Sequence, residues 1–181
     1  LPGTCYHGLR RRPVRITSTC KGGFRSLADV VDAATRSRMM SGIRAKDTQP
    51  EMTLRRGLHA RGFRFRLHDK RLPGCPDLVF AGRHAVIFVH GCFWHGHDCH
   101  LFRLPATRQE FWRAKITGNA VRDGAAEAAL LADGWRVLTV WECALKGRVR
   151  LPVDTVLDRA GEWLVNGPVL ETIAGVAHGG I

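Results

Sequence analysis

Hydrophobic and polar positions follow a helical period over residues 47–63, the stretch DTQPEMTLRRGLHARGF. Thr48 and Glu51 have the spacing of a capping box, and Pro50 suits the first turn of a helix. Gly62 is typical of the residue that follows a helix end. The apolar face of this helix would consist of Met52, Leu54 and Leu58. The pattern therefore predicts a helix that begins near Thr48.

The hydrophobic period then changes to that of extended chain. Residues 63–68, FRFRLH, alternate as a half-buried strand does. Residues 72–90 contain two apolar runs separated by Ala81 and Gly82, which predicts a hairpin. The later elements are, in order, a long helix over 106–134, a strand over 135–142 and a helix over 151–167. This order predicts a mixed β-sheet flanked by helices, an α/β or α+β sandwich.

Length and composition favour one folded domain. The chain has 181 residues, 45% of them hydrophobic, which is enough to build one core. No apolar run approaches the ~20 residues that a membrane-spanning helix needs, so we expect no membrane partner. Residues 1–28 show no apolar periodicity, and we predict that they form a disordered arm. We assign residues 29–165 to the folded domain and residues 166–181 to a C-terminal tail.

The charge indicates a polyanionic partner. The formal net charge is +12, and residues 1–28 carry six cationic side chains and no acid. Half of the excess charge therefore remains on the folded domain when the arm is set aside. A basic domain of this kind favours nucleic acid as the partner.

The six cysteines do not have the distribution of a disulfide scaffold. Cys5 and Cys20 lie in the arm, and Cys75 stands alone between two prolines. Cys92 and Cys99 lie among histidines in the stretch VIFVHGCFWHGHDCH, which is typical of a metal site in a reducing compartment. We therefore expect a cytoplasmic protein.

Cys92, His97 and Cys99 form the pattern C-x4-H-x-C, which predicts a zinc site. A structural zinc ion binds four protein ligands in a tetrahedron, so a fourth ligand must come from elsewhere. Cys143 is the best candidate, because it ends the predicted strand VLTVWEC. The other candidates are Cys75, His95 and His100. Four protein ligands leave no position open for water, so the zinc would be structural.

The stretch LPGCPDLVF predicts a second kind of site. It places Asp77 at the entrance of a strand, where many nucleases hold Mg²⁺ between a carboxylate and a phosphate. Such nucleases have an acid-x-Lys motif near the end of the next strand. Here that strand ends Phe88-Val89-His90, with neither an acid nor a lysine.

Five segments in this order resemble one known family. They are ATRSRMMSGIRAKDT, LPGCPDLVF, VIFVHGCFWHGHDCH, PATRQEFWRAKITGNAVRD and GWRVLTVWECAL. Together they resemble the very short patch repair (Vsr) endonucleases, over roughly residues 29–165. The resemblance implies a restriction-endonuclease-like α/β core. It also implies Mg²⁺-dependent nicking of DNA on the 5′ side of the thymine in a T·G mismatch left by deamination of 5-methylcytosine.

The resemblance also implies roles for individual residues. Asp77 would bind the catalytic Mg²⁺, and His90 would replace the missing acid-x-Lys. His95 would activate the attacking water, since an imidazole can take a proton at neutral pH. Glu51 and Asp123 would be supporting acids that orient His90.

The remaining assignments concern zinc and DNA. The implied zinc ligands are Cys92, His97, Cys99 and Cys143. Phe93, Trp94 and Trp112 would wedge into DNA, and Met40 and Ile43 would enter from the other groove. Lys115 lies beside Trp112 and can neutralise phosphate. Asn119 precedes Asp123 by one helical turn, so both would point toward the site, and we count Asn119 with the DNA-binding residues.

Two departures from the family pattern keep other functions open. Val89 stands where the family usually has threonine, and Cys75 where it usually has arginine. One alternative is a catalytically impaired, zinc-stabilised DNA-binding relative, and another is a restriction-type nuclease on matched DNA. The resemblance implies a monomer that acts on nucleoid DNA, with mismatch-repair proteins as candidate partners.

Overall fold

The computed structural model describes residues 46–176. The predicted N-terminal arm, Met40 and Ile43 lie outside the described residues. Within them, the helices are α1 (Gln49–Ala60), α2 (Gln109–Ala132), α3 (Glu142–Leu145) and α4 (Val153–Asn166). The strands are β1 (Arg66–Leu67), β2 (Leu78–Phe80), β3 (Ala85–His90), β4 (Arg136–Trp141) and β5 (Leu170–Ile173). In the described part of the chain, no helix is long and apolar enough to cross a membrane.

The five strands form one mixed sheet in the order β1-β2-β3-β4-β5. The first three strands pair antiparallel, and β4 and β5 add parallel to β3. The chain reaches β4 from β3 through the long helix α2, as a parallel connection requires. The predicted mixed sheet flanked by helices is confirmed.

The alternation along β3 explains how helices come to cover both faces of the sheet. Ala85 and Ile87 point to a core that includes the buried residues of α1 and α4. Val86 and Phe88 point to the opposite face, where they pack with Leu130 of α2. Successive side chains of a strand point to opposite faces, so a fully apolar strand needs cover on both.

The capping box at the start of α1 is confirmed. Thr48 is the N-cap, and its Oγ1 accepts from the backbone N–H of Glu51 at 3.5 Å and donates to Glu51 Oε1 at 3.1 Å. The backbone N–H of Asp47 donates to Glu51 Oε2 at 2.9 Å. These bonds fix the Glu51 carboxylate at the helix start. Leu54 and Leu58 are buried as predicted, whereas Met52 is half-buried.

Three elements differ from the sequence prediction. Only Arg66 and Leu67 of the segment 63–68 pair as a strand, and both are exposed. The predicted two-residue turn is a short 3₁₀ helix, Ala81–Arg83, followed by His84 in the left-handed region with φ 49°. Strand β5 lies in the segment assigned to the C-terminal tail and pairs with β4. Its sequence, LETI, has too few apolar positions to predict a strand.

Candidate active site and metal-binding loop

A cleft of about 430 Å³ opens where β3 ends and its following loop begins. Its lining contains all five predicted catalytic residues: Glu51, Asp77, His90, His95 and Asp123. Cys75, Thr139, Trp141 and Glu127 also line it. The chain supplies these residues from α1, from the entrance of β2, from β3 and its loop, and from α2. The fold thus brings together side chains that are far apart in sequence.

Asp77 is held by the backbone of the neighbouring strand. Its Oδ2 accepts from the Val89 N–H at 2.7 Å, and its Oδ1 lies 3.6 Å from His68 Nδ1. Burial raises the pKa of Asp77 to about 6, and the Val89 hydrogen bond opposes this rise. A partly buried carboxylate of this kind is favourably placed to bind a cation, which would stabilise its ionised form.

His90 and His95 stack in the cleft with ring centroids 3.9 Å apart and planes within 3°. Burial, and then the neighbouring His95, lowers the pKa of His90 to about 4. His90 is therefore neutral at pH 7, which removes the repulsion that two stacked imidazolium rings would have. A neutral ring can accept a hydrogen bond or ligate a cation.

Helix α2 orients the second histidine. Asp123 Oδ2 lies 2.5 Å from His95 Nδ1, and one turn earlier Asn119 Nδ2 donates to the Trp94 carbonyl at 2.7 Å. Both residues thus point from one helix face to the loop, as predicted. An Nδ1–H bonded to the carboxylate leaves His95 Nε2 as the basic nitrogen, which is the arrangement of an Asp–His general base.

Glu51 and Asp123, which were predicted to orient His90, have other bonding partners in the structure. Asp123 bonds to His95, and ligand atoms of Asp123, His90 and His95 all lie within 4.8 Å of one another. The Glu51 carboxylate, only 4% exposed as a residue, bonds to the capping box and to Arg55 Nη2 at 3.0 Å. The capping box holds Glu51 at the buried start of the helix, and Arg55, four residues later, pairs with its carboxylate, as i,i+4 spacing favours.

The loop also builds a cluster of sulfur and imidazole donors. One donor atom from each of Cys92, His97, Cys99 and Cys143 lies within 4.8 Å of the others. Cys143 Sγ is 3.6 Å from His97 Nδ1. Burial raises the pKa of the Cys92 and Cys143 thiols, so bound thiolates would need a cation beside them. The four residues fit a tetrahedral metal site.

The other candidates for the fourth ligand lie outside this cluster. Cys75 and His95 line the cleft at the end of β3. The His100 ring is packed against Gly147, so that a Cβ added there would meet His100 Nε2 at 2.2 Å. Among the candidates from the sequence, Cys143 therefore has the position that a fourth ligand requires.

Sequence reasoning missed Trp141, which separates the two sites. Its ring stacks on His97 at 4.2 Å, and it meets His90 edge-on at 5.3 Å. It also missed Arg55 and His68, whose Nη2 and Nε2 atoms are 2.7 Å apart. The sequence signals were the position of Trp141 at the end of a strand, two residues before Cys143, and the i,i+4 spacing of Glu51 and Arg55.

The predicted wedge residues form one half-buried aromatic cluster beside the loop. Ring centroids of Phe93 are 5.1 Å from Trp94 and 5.5 Å from Trp112. Lys115 Nζ lies over both indoles, at 5.2 Å from Trp94 and 5.8 Å from Trp112. The cluster remains partly open to solvent, with a cation at its edge. Such a surface combines stacking faces with a positive charge for phosphate.

Known proteins with similar sequences indicate the family of this chain. The family model described as DNA mismatch endonuclease Vsr matches residues 28–101. DNA mismatch endonuclease Vsr of Escherichia coli (strain K12) is 49% identical over 138 residues, which cover 76% of this chain and 88% of the relative. Type II nicking enzyme V.XorIIP of Xanthomonas oryzae pv. oryzae is 47% identical over 134 residues, 73% of this chain and 98% of the relative. Type II nicking enzyme V.NmeAIP of Neisseria meningitidis is 42% identical over 122 residues, 67% of this chain and 87% of the relative.

Proposed function

The chain belongs to the DNA mismatch endonuclease Vsr family, and from that premise we propose its lesion, its cleavage position and its metals. As a family member it is an endonuclease that nicks DNA. We assign as its substrate double-stranded DNA with a T·G mismatch. The nick falls 5′ of the mismatched thymine and depends on Mg²⁺. The core is of the restriction-endonuclease-like type.

One observation carries this proposal: a carboxylate suited to a cation and an Asp–His pair share one cleft. Magnesium bound at Asp77 would neutralise charge on the scissile phosphate. Asp123 holds His95 so that Nε2 accepts the proton of the attacking water. His90, neutral because it is buried beside His95, donates or accepts a hydrogen bond at the phosphate without adding a competing charge.

The aromatic cluster supports recognition of a mismatch. Inserting Phe93, Trp94 and Trp112 between base steps requires unstacking, which costs a few kcal/mol and least where pairing is already weak. Lys115 lies at the edge of these rings and binds the adjacent phosphate. Selectivity then arises partly from the weakness of the mismatched step.

The zinc assignment rests on the chemistry of the donor set. Three thiols and one imidazole, with Cys92 and Cys143 almost completely buried, suit Zn²⁺ better than Mg²⁺, which prefers oxygen ligands. A zinc ion bound by all four would hold the loop against the end of β4. It would have no open position for substrate water.

The function is tested by mapping nicks on labelled duplexes. Purified protein and Mg²⁺ are incubated with duplexes that carry T·G, U·G or normal pairs in several flanking sequences. We expect one nick, 5′ of the mismatched thymine, and none with EDTA. Equal cleavage of matched DNA would indicate a restriction-type nuclease instead. Mismatch binding without a nick under any divalent ion would indicate a catalytically impaired relative.

A further inference from the structure

The backbone places His68 opposite Asp77. Strands β1 and β2 pair antiparallel, with Arg66 opposite Val79 and Leu67 opposite Leu78. The next pair in this register is His68 and Asp77, and the His68 N–H donates to the Asp77 carbonyl at 3.4 Å. His68 adopts φ 46°, in the left-handed region, where the chain turns away from the sheet. Residues directly opposite each other in such a pair have neighbouring side chains.

Arg55 determines which nitrogen of His68 carries the proton. The Arg55 side chain is buried, and its Nη2 lies 3.0 Å from Glu51 Oε2 and 2.7 Å from His68 Nε2. Its Nη1 donates to Asp47. A guanidinium has only donors, so His68 Nε2 must be the acceptor. The single ring proton of His68 is therefore on Nδ1, the nitrogen that faces Asp77.

This arrangement constrains both oxygens of the Asp77 carboxylate. Oδ2 accepts from the Val89 N–H at 2.7 Å, and Oδ1 lies 3.6 Å from His68 Nδ1. The second distance is too long for a direct hydrogen bond, so the Nδ1–H acts on Oδ1 as an oriented dipole. The two contacts come from opposite neighbours of β2 and limit rotation of the carboxylate.

The same proton placement excludes His68 as a metal ligand. An imidazole ligates through a nitrogen without a proton, and that nitrogen of His68 already faces Arg55. Asp47, Glu51 and His68 have ligand atoms close enough for a metal, but Arg55 donates to all three. This cluster is therefore a support and not a second metal site.

We propose that His68, held by Arg55, is a positioning residue that orients the Asp77 carboxylate toward its divalent cation. The inference rests on the proposed function, because that function assigns the cation to Asp77. Groups that orient a ligating carboxylate typically change metal affinity 10–100-fold when they are removed.

The first test is spectroscopic and needs no activity. Long-range ¹H–¹⁵N spectra of the full chain, labelled at histidine, distinguish Nδ1–H from Nε2–H rings, and His68→Asn identifies the His68 signals. We expect the Nδ1–H form at neutral pH. An Nε2–H ring or a doubly protonated ring would overturn the inference.

The second test measures Mg²⁺ affinity, by NMR titration and by the Mg²⁺ concentration for half-maximal nicking. We expect His68→Ala to raise both the Mg²⁺ dissociation constant and the Mg²⁺ concentration for half-maximal nicking about tenfold or more. His68→Asn should restore them, because an amide N–H can occupy the place of Nδ1–H and asparagine tolerates positive φ. His84→Ala is the matched control: His84 has φ 49° like His68, but its ring stacks on Trp135 and not beside Asp77. It removes an imidazole at the same backbone conformation and should leave both values unchanged.

The outcomes separate this inference from the proposed function. A wild-type protein that binds no Mg²⁺ at Asp77 would overturn the proposed function. A protein that binds Mg²⁺ equally well with and without the His68 imidazole would overturn this inference alone. A His68→Asn variant as weak as His68→Ala would also contradict it, since it would show that the donor is not what matters.

Discussion

The end of β3 and its following loop contribute to two clusters of side chains that could hold a metal ion and that differ in donor type and burial. His90 and His95 belong to a polar cleft with carboxylates at its walls. Cys92, His97 and Cys99 belong to a cluster completed by Cys143, with Cys92 0% and Cys143 1% exposed. The two sets alternate within ten residues of sequence.

The difference lies in the donors and in the access to solvent. The cleft has oxygen and imidazole donors around open space, which suits a hard cation that must also reach a phosphate. The cysteine cluster has four protein donors, two of them buried and two half-buried, and four protein ligands suit a structural ion. Trp141 contacts both histidine sets and forms a wall between them. One segment can therefore contribute both to a cysteine cluster suited to a structural ion and to a cleft suited to catalysis.

The largest effect is expected when the cleft loses its charged oxygen ligand. Asp77→Asn keeps the acceptor for the Val89 N–H but removes the negative charge that binds the cation. We expect single-turnover nicking to fall at least about 10³-fold, because metal ions contribute several kcal/mol of charge stabilisation. Asp133→Asn, an exposed change at the end of α2, is the control. Loss below tenfold for Asp77→Asn would break the assignment of the cleft as the active site.

The next effect concerns the general base. We expect His95→Ala to lower single-turnover nicking a few hundred-fold, within the ~10²–10⁴ range of acid–base catalysis. Asp123→Asn should lower the rate of single-turnover nicking by a smaller factor, because Asp123 acts through His95. His59→Ala, at an exposed position on α1, controls for loss of an imidazole. If Asp123→Asn were more damaging than His95→Ala, Asp123 would have a direct role.

The raised pKa of Asp77 predicts a stability cost in the absence of a cation. Its folded-state pKa is about 6, above the ordinary 3.8, so its contribution to stability is full below pH about 4 and is lost as the pH rises through 6. Asp77→Asn cannot ionise. With chelator present, we expect it to be more stable than wild type by about 2–3 kcal/mol at pH 7.5, with the difference vanishing near pH 4.

Denaturant unfolding of both proteins at several pH values measures this difference. A variant that is less stable than wild type at pH 7.5 would show that the ionised Asp77 is well compensated by its neighbours. Ionisation of Asp77 would then not lower the free energy of unfolding in the absence of a cation, as we expect for a buried cation-binding carboxylate.

The smallest effect concerns the aromatic cluster. Trp94→Leu keeps an apolar side chain but removes the stacking face, and we expect about a tenfold loss of preference for T·G over matched duplex. Trp94→Phe should retain most of it. Competition binding with matched and mismatched duplexes gives the ratio. An unchanged ratio for both variants would assign Trp94 to support of the loop.

Much of the fold could be predicted because the hydrophobic pattern of several elements is regular. The hairpin of β2 and β3, the helix α2 and the strand β4 follow from apolar runs and turn residues. Strand β5 could not be predicted, since Leu170 is exposed and only Ile173 is buried. Its place in the sheet depends on pairing with β4, which is tertiary information.

The candidate site also has features that the sequence predicts and features that depend on tertiary structure. The grouping of Asp77, His90 and His95 in one cleft agrees with the sequence prediction, and Cys143 has the predicted place beside the cysteine loop. Their chemical roles stay predictions. The hydrogen bond from Asp123 to His95 was not predicted, because which of two stacked rings bonds to a carboxylate depends on side-chain rotamers. Strand register places His68 opposite Asp77, and the packing of α1 brings Arg55 to His68, so both contacts depend on tertiary structure.

The central claim is that this loop holds one metal for structure and exposes another site for chemistry. The most direct measurement is metal content and nicking activity on the same sample, after treatment with EDTA and then after addition of Mg²⁺ alone. We predict that EDTA abolishes nicking while one zinc ion per chain is retained, that Mg²⁺ alone restores nicking, and that Cys143→Ser loses the zinc. Active protein without zinc, or activity that returns only when zinc is added, would contradict the account.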